Sequence, residues 1–142
     1  LKDATMAAIR NLDKNENGFF LMVEGSQIDW GGHDNDAEYV ISETLDFDST
    51  IAAVGQWAKA DGETLVIITA DHGNAELMMD VKNNQAHTQH TTNLVPFIVM
   101  NSNAKKVVDG GKLSDIAPTI LSLLNCEVPQ EMTGKNLIQF KT

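Results

Sequence analysis

The sequence contains one cysteine, three prolines and no apolar run of the roughly 18 to 20 residues that a membrane span requires. The lone Cys126 excludes an internal disulfide, and its apolar neighbours in LLNCEV predict a small buried side chain rather than a reactive thiol. An initial methionine and a secretory leader are also missing, and the chain opens with apolar residues at helical spacing. We therefore expect a fragment or a processed product.

Basic residues are scarce. Ten Lys and Arg stand against twenty Asp and Glu, which gives a formal net charge of −10. This charge opposes attraction to nucleic acid phosphates, so we expect no nucleic acid partner. Because a long apolar run is missing, we expect no membrane partner either. With 142 residues, 42% of them hydrophobic, the chain is long enough to bury one core, and we predict a single domain over residues 1–142.

The apolar pattern predicts strands that alternate with helices. Phe19–Val23 and Leu65–Thr69 are short, apolar and rich in residues typical of buried strands. Residues 37 to 58 between them carry an apolar stripe at helical spacing, with N-cap candidates at Asp34 to Asp36 and a stop at Asp61 and Gly62. Trp30, Gly31 and Gly32 are expected to form a loop before this helix. Leu94–Met100 is a third strand candidate, and Ser114 or Asp115 can cap a later helix. A strand, helix and strand at this length form a βαβ unit, which predicts an α/β fold with a mainly parallel sheet flanked by helices.

Metal-binding residue types follow the first two strands. Glu24, Asp29 and His33 come after the first strand, and Asp71 and His72 come directly after the second. In open α/β sheets, sites form outside the carboxyl ends of the strands, where these side chains are expected to lie. Carboxylate and imidazole donors suit zinc, manganese or iron. Two strand ends that each carry an Asp and a His therefore predict two metals side by side.

The two remaining histidines, His87 and His90, lie in the polar stretch AHTQHTT. Each cluster alone has an ordinary explanation, because Asp and His four residues apart are often a surface pair and a lone Glu often forms a salt bridge. All four histidines, however, occur in three short segments beside predicted strand ends. Two cations about 4 Å apart can clamp the attacking and leaving oxygens of an in-line displacement, which is the chemistry of phosphoryl transfer.

The motifs resemble those of the alkaline phosphatase superfamily. VEGSQIDWGGH, ETLDFD and TLVIITADH are similar to metal-binding segments of bacterial alkaline phosphatases, and this resemblance covers residues 1–72. From ADHGNAE through QAHTQHTTNLVPFIV, GGKLSDIAPTILSLL and VPQEMTGKNLI, residues 70–142 resemble the C-terminal part of the cofactor-independent phosphoglycerate mutases. The resemblance implies the C-terminal part of an alkaline-phosphatase-like domain.

The resemblance also implies a set of ligands for two divalent metals, zinc or manganese, and for a third, magnesium. Those ligands are Asp29, His33 and His90 for one metal, Asp71 and His72 for the second, and Glu24 for magnesium. His87 is the near alternative to His90 and a candidate for contact with the substrate.

Three functions follow as expectations. Glu24 favours a phosphomonoesterase, whereas the C-terminal half favours a phosphoglycerate mutase that interconverts 3- and 2-phosphoglycerate. The third is a catalytically incomplete metal-binding fragment, because Ser26, Thr69 and Thr91 lie near the predicted site but outside the family's nucleophile motif. The substrate would be a small phosphorylated molecule and a homodimer is compatible with the resemblance. The compartment would be periplasmic or extracellular for a phosphatase and cytoplasmic for a mutase.

Overall fold

The computed structural model describes residues 1–140, which form four α-helices and six short strands. The helices are α1 (Lys2–Leu12), α2 (Gln27–His33), α3 (Ala37–Asp61) and α4 (Ile116–Leu123), with a 3₁₀ turn at Leu113–Asp115 before α4. The strands are β1 (Val66–Thr69), β2 (Met79–Asp80), β3 (Gln85–Ala86), β4 (Phe97–Met100), β5 (Ala104–Val107) and β6 (Ile138–Phe140). Among residues 1–140, no helix is both long enough and apolar enough to cross a bilayer.

Contacts divide the chain into two compact units, residues 1–101 and residues 102–142. The first unit holds α1 to α3 and β1 to β4, and it contains every metal-ligand candidate. The second holds β5, α4 and β6. The expectation of one domain over residues 1–142 stays a prediction, because compact units of this size occur both within domains and as domains.

The long helix α3 begins and ends where the sequence predicts. Asp36 precedes it in an extended conformation, and its side chain accepts a hydrogen bond of 3.0 Å from the Tyr39 backbone N–H. Gly62 follows the helix with φ of 82°, a left-handed conformation that glycine adopts without the Cβ penalty. Helix α1 packs on α3 and buries Thr5 and Ile9. The ends of α3 are therefore set by neighbouring residues, and α1 is held by packing on it.

The parallel sheet predicted from the sequence is not confirmed. Every strand pairing in residues 1–140 is antiparallel, including β1 with β4, where Val66 faces Met100 and Thr69 faces Phe97. A parallel pair needs a crossover, usually helical, and residues 70–96 between β1 and β4 contain only a small hairpin and loops. The chain does contain the helices and strands of an α/β protein.

The Phe19–Val23 strand does not form a ladder with any described residue. Side-chain exposure still alternates along this segment as in a strand, with Phe20 66% and Met22 79% exposed. Without hydrogen-bonded neighbours the extended segment cannot complete the βαβ unit, so the expected parallel partner of β1 is missing from residues 1–140.

Two local predictions are wrong. Trp30, Gly31 and Gly32 were expected in a loop but lie inside α2, where a Cβ on Gly31 would stand 3.0 Å from Val40. These glycines allow α2 to pack tightly on its neighbours instead of breaking the helix. Cys126 is exposed rather than buried, because α4 ends before it and residues 124 to 127 face solvent.

The second unit is organised by two buried polar side chains. The Thr119 hydroxyl is completely buried; it donates to the Asp115 carbonyl at 2.6 Å and accepts from the Leu137 backbone N–H at 2.9 Å. The Asp115 carboxylate accepts from the backbone N–H groups of Lys112 and Lys135, each at 2.8 Å. These bonds lower the pKa of Asp115, with Lys135 the largest cause, and they attach the tail to the start of α4.

Candidate metal centre

Three separate segments of the first unit deliver the candidate ligands. Helix α2 presents Asp29 and His33 one turn apart, so both side chains project from the same face. The chain leaves β1 at Thr69 and reaches His72 three residues later. His90 comes from the loop before β4, which is joined to the β1 end by a bridge between Gly73 and Thr91.

The side chains of Asp29, His33, His72 and His90 converge. The Nε2 atoms of His33 and His90 are 3.0 Å apart. The Asp29 carboxylate lies 3.3 Å from His33 Nε2 through Oδ2 and 3.4 Å from His90 Nε2 through Oδ1. His72 Nε2 is 4.0 Å from Asp29 Oδ1, and its ring stacks on that of His90 with centroids 3.5 Å apart. Four nitrogen and oxygen donors thus face one small volume.

The separations among the ligand atoms of Asp29, His33 and His90 fit one divalent cation, and His72 lies beside them. Bonds of about 2.0 to 2.1 Å in a tetrahedral zinc site place neighbouring ligand atoms about 3.3 Å apart. Asp29, His72 and His90 each offer a ligand atom within 4.8 Å of the others. The charge of the set also fits, because one carboxylate and neutral imidazoles leave an uncompensated negative charge that a cation would offset.

The orientation of His33 supports this reading. Its Nδ1 lies 2.7 Å from the Thr88 carbonyl oxygen, which only accepts, so Nδ1 carries the proton and donates. In the neutral ring Nε2 then presents a lone pair to the cluster, as is typical of a metal-binding histidine. The competing explanation is a hydrogen bond in which His90 Nε2–H donates to His33 Nε2.

Asp29 is held by a buried amide. The Asn74 side chain is 7% exposed, and its Nδ2 donates to Asp29 Oδ1 at 2.6 Å. Nδ2 must face Asp29, because the amide oxygen would repel the carboxylate. Asn74 reaches this place because Gly32 has no side chain, and a Cβ there would lie 2.7 Å from Asn74 Nδ2. Asn74 Oδ1 is buried and has no hydrogen-bond partner among the described residues.

The other predicted site residues lie at the edge of this cluster or outside it. Asp71 is 86% exposed, and its Oδ2 stands 3.6 Å from His72 Nε2. Glu24 is exposed and lines a separate pocket with Glu43 and Asp46. His87 lies outside the cluster, and its Nδ1 is buried without a hydrogen-bond partner among residues 1–140. The role of each of these three residues stays a prediction.

Sequence reasoning missed the residues that support the ligands. Besides Asn74, they are Glu76, Thr91 and Asn93, which form a polar cluster next to the histidines. The Thr91 hydroxyl is the main cause that lowers the pKa of Glu76 to about 2, and Asn93 contributes. The signal that could have found them is their position in the sequence. Asn74 and Glu76 follow His72 in HGNAE, and Thr91 and Asn93 follow His90 in HTTN.

Comparisons with known proteins found a matching family model and similar solved structures. A family model described as alkaline phosphatase matches residues 1–116. The alkaline phosphatase from the Antarctic bacterium TAB5 has a similar structure, with a TM-score of 0.59 and 41% identity over 70% of this chain and 33% of that one. A histidine-to-glutamate mutant of the TAB5 enzyme, with Mg bound in the M3 site, gives the same TM-score at 39% identity and covers 70% of this chain and 34% of its own.

Curated relatives carry the name of the second branch. The 2,3-bisphosphoglycerate-independent phosphoglycerate mutase of Yersinia pestis (strain Pestoides F) is 55% identical over 113 residues, which are 77% of this chain and 21% of the mutase. The mutases of Cronobacter sakazakii and Wolbachia pipientis wMel are 50% and 45% identical, over 77% and 83% of this chain and 21% and 23% of their own lengths. The chain thus spans about a fifth of the curated relatives it matches. Both resemblances stated from the motifs are confirmed.

Proposed function

Because the chain belongs to the alkaline phosphatase family, we propose that it carries the metal-binding part of an active site for phosphoryl transfer on small phosphate monoesters. The observation that supports this most strongly is the convergence of Asp29, His33, His72 and His90 from three distant segments. With its proton on Nδ1, a neutral His33 turns its Nε2 lone pair toward the Asp29 carboxylate at 3.3 Å, a repulsion that a cation between them would remove.

Each side chain has a distinct task in this proposal. Asp29, His33 and His90 would hold one divalent cation, and His72 with Asp71 would hold the second; zinc and manganese both suit these donors. When bound, the cations supply positive charge that stabilises the transferring phosphoryl group. Thr88 fixes the proton of His33 on Nδ1, so that Nε2 stays free for binding.

The substrate we propose is a phosphoglycerate. The relatives at 45 to 55% identity are named as phosphoglycerate mutases, which favours this reading over the phosphomonoesterase that Glu24 suggested. In such an enzyme 3- and 2-phosphoglycerate are interconverted, and the compartment would be the cytoplasm. We expect the 142-residue chain alone to bind metal and to turn over slowly or not at all, since no Ser or Thr matches the family's nucleophile motif.

A phosphomonoesterase is the second candidate. The solved structures that share 39 to 41% identity are alkaline phosphatases, and the family model carries the same description. Under this reading Glu24 would bind magnesium, a small phosphorylated compound would be the substrate, the protein would be exported, and a homodimer is one assembly to test.

Metal titration followed by two activity assays tests these proposals. The full chain, stripped with a chelator, is titrated with Zn²⁺ and separately with Mn²⁺ by isothermal calorimetry. His33→Ala should weaken binding by at least the roughly 10-fold typical of a lost contact at a metal site. His87→Ala tests the alternative ligand: because the His87 imidazole lies outside the cluster, this variant should keep wild-type affinity if His90 is the ligand.

The outcomes separate the candidates. Interconversion of 3- and 2-phosphoglycerate supports the mutase, hydrolysis of p-nitrophenyl phosphate supports the phosphatase, and metal binding with neither activity supports an incomplete fragment. Failure of the wild-type chain to bind either metal would leave the histidines as a hydrogen-bonded group and overturn the proposal.

A further inference from the structure

Glu76 joins the two polypeptide segments that carry His72 and His90. Its Oε2 accepts a hydrogen bond of 2.7 Å from the Asn74 backbone N–H, in the turn that follows His72. Its Oε1 accepts from the Thr91 hydroxyl and, at 2.7 Å, from Asn93 Nδ2, in the segment that follows His90. One carboxylate therefore bridges both strand-end loops.

The two segments are also in direct contact beneath this bridge. The Thr91 backbone N–H donates to the Gly73 carbonyl at 2.7 Å. A Cβ on Gly73 would collide with the Thr91 hydroxyl and with Glu76 Oε1. Glycine at this position therefore permits the close approach on which the bridge depends.

Two candidate ligands depend on this arrangement. His90 is adjacent to Thr91 in the chain, and among the described residues its Nδ1 makes no hydrogen bond that would orient the ring. The hydrogen bond from the Thr91 backbone N–H to the Gly73 carbonyl holds the main chain directly after His90. Asp29 is held by the Asn74 side chain, and the main chain of that same residue donates to Glu76.

We propose that Glu76 is a positioning residue for the metal centre: by bridging Asn74, Thr91 and Asn93, it sets the separation between Asp29 and His90. This inference rests on the proposed function, because it assigns Glu76 to the same cation site. Outer residues that orient metal ligands typically contribute about 10- to 100-fold in metal affinity.

Glu76→Gln is the informative substitution because it keeps the size of the side chain. Both carboxylate oxygens accept from N–H donors, Oε2 from Asn74 and Oε1 from Asn93. If the new NH₂ group faces Asn74, it meets a backbone N–H donor; if it faces the other way, Thr91 and Asn93 must both reorient to accept from it. Glu63→Gln is the matched control, since it removes the same charge from an exposed side chain that makes no hydrogen bond in the described residues.

The experiment compares Zn²⁺ affinity of the full chain, its Glu76→Gln variant and its Glu63→Gln variant by calorimetry. The temperature is one at which circular dichroism shows all three folded. The expected result is binding roughly 10- to 100-fold weaker for Glu76→Gln, with little change for Glu63→Gln. In the metal-free proteins, the histidine ring signals in NMR spectra should shift for Glu76→Gln only.

Equal affinities for Glu76→Gln and Glu63→Gln would overturn the inference and leave the proposed function intact. Absence of Zn²⁺ binding by the wild-type chain would instead overturn the proposed function, and the inference with it. If Glu76→Gln does not fold, Thr91→Val decides, because it keeps the carboxylate and removes one donor to it. The expected loss for Thr91→Val is about 10-fold, the lower end of the range for residues that orient metal ligands, and unchanged affinity would refute the bridge.

Discussion

Gly32 offers a direct test of whether tertiary packing maintains the proposed metal centre. The substitution is Gly32→Ala. A Cβ at this position would stand 2.7 to 2.8 Å from the three outer atoms of the Asn74 amide, whereas ordinary contact begins near 3.4 Å. The amide must therefore move by about 0.6 to 0.7 Å. Directed away from Asp29, such a shift would lengthen the 2.6 Å hydrogen bond from Asn74 Nδ2 to Asp29 Oδ1 to about 3.3 Å and weaken it.

Two opposing effects set the expected magnitude. Alanine favours the helical conformation of α2 by up to about 1 kcal/mol relative to glycine. Loss of the support for Asp29 should weaken metal binding by about 10- to 100-fold, which corresponds to about 1.4 to 2.8 kcal/mol. The helix gain acts on folding and not on the geometry of the ligands. We therefore expect Gly32→Ala to fold and to bind Zn²⁺ more weakly than the wild-type chain.

Calorimetric titration with Zn²⁺ measures this change, and Gly55→Ala serves as the control. A Cβ on Gly55 in α3 would meet only the flexible end of Met100, which can move aside. Gly55→Ala should therefore retain wild-type affinity. Wild-type affinity in a folded Gly32→Ala protein would refute the claim that Asn74 holds Asp29 in place for the metal.

Three further predictions concern both units. Thr119→Val should destabilise the second unit by about 1 to 3 kcal/mol, because it leaves the buried Leu137 N–H without its acceptor. Hydrogen exchange at the Leu137 amide should accelerate, and an unchanged exchange rate would contradict the prediction. The wild type should be more stable than Asp115→Asn, and this difference should be full above about pH 4, the ordinary pKa range of an Asp carboxyl. The difference should shrink as the pH falls through the lowered pKa of Asp115. Chemical denaturation at pH 7 and pH 3 measures the difference, and an equal value at both would contradict the prediction. Asp71→Asn should remove about one equivalent of bound metal, counted by elemental analysis, and an unchanged count would exclude Asp71 from the site.

The sequence correctly predicts the structural features that depend only on residues a few positions apart. Asp36 and Gly62 define the ends of α3 because a capping carboxylate and a left-handed glycine act within a few residues of themselves. The apolar run before Ala70 similarly produced β1 at Val66–Thr69. The four histidines were recognisable as candidates because they directly follow or precede such elements.

Sheet direction was not encoded locally. An apolar run specifies a strand but not its partner, and β1 pairs with β4 in the antiparallel sense rather than with Phe19–Val23 in parallel. Gly31 and Gly32 predict a loop from sequence but lie inside α2. Their reason for being glycine, close packing against Val40 and Asn74, is visible only in three dimensions.

The sequence by itself determined which carboxylate and imidazole groups are available as ligands, and these residue types decide which cations are suitable. Only the tertiary structure decided which donors meet. His87 and His90 are chemically identical and three residues apart, yet only His90 lies beside Asp29. Their difference comes from the contacts of Thr91 with Gly73 and Glu76, because a hydrogen bond between distant segments fixes the backbone at one residue in a way that no local pattern specifies.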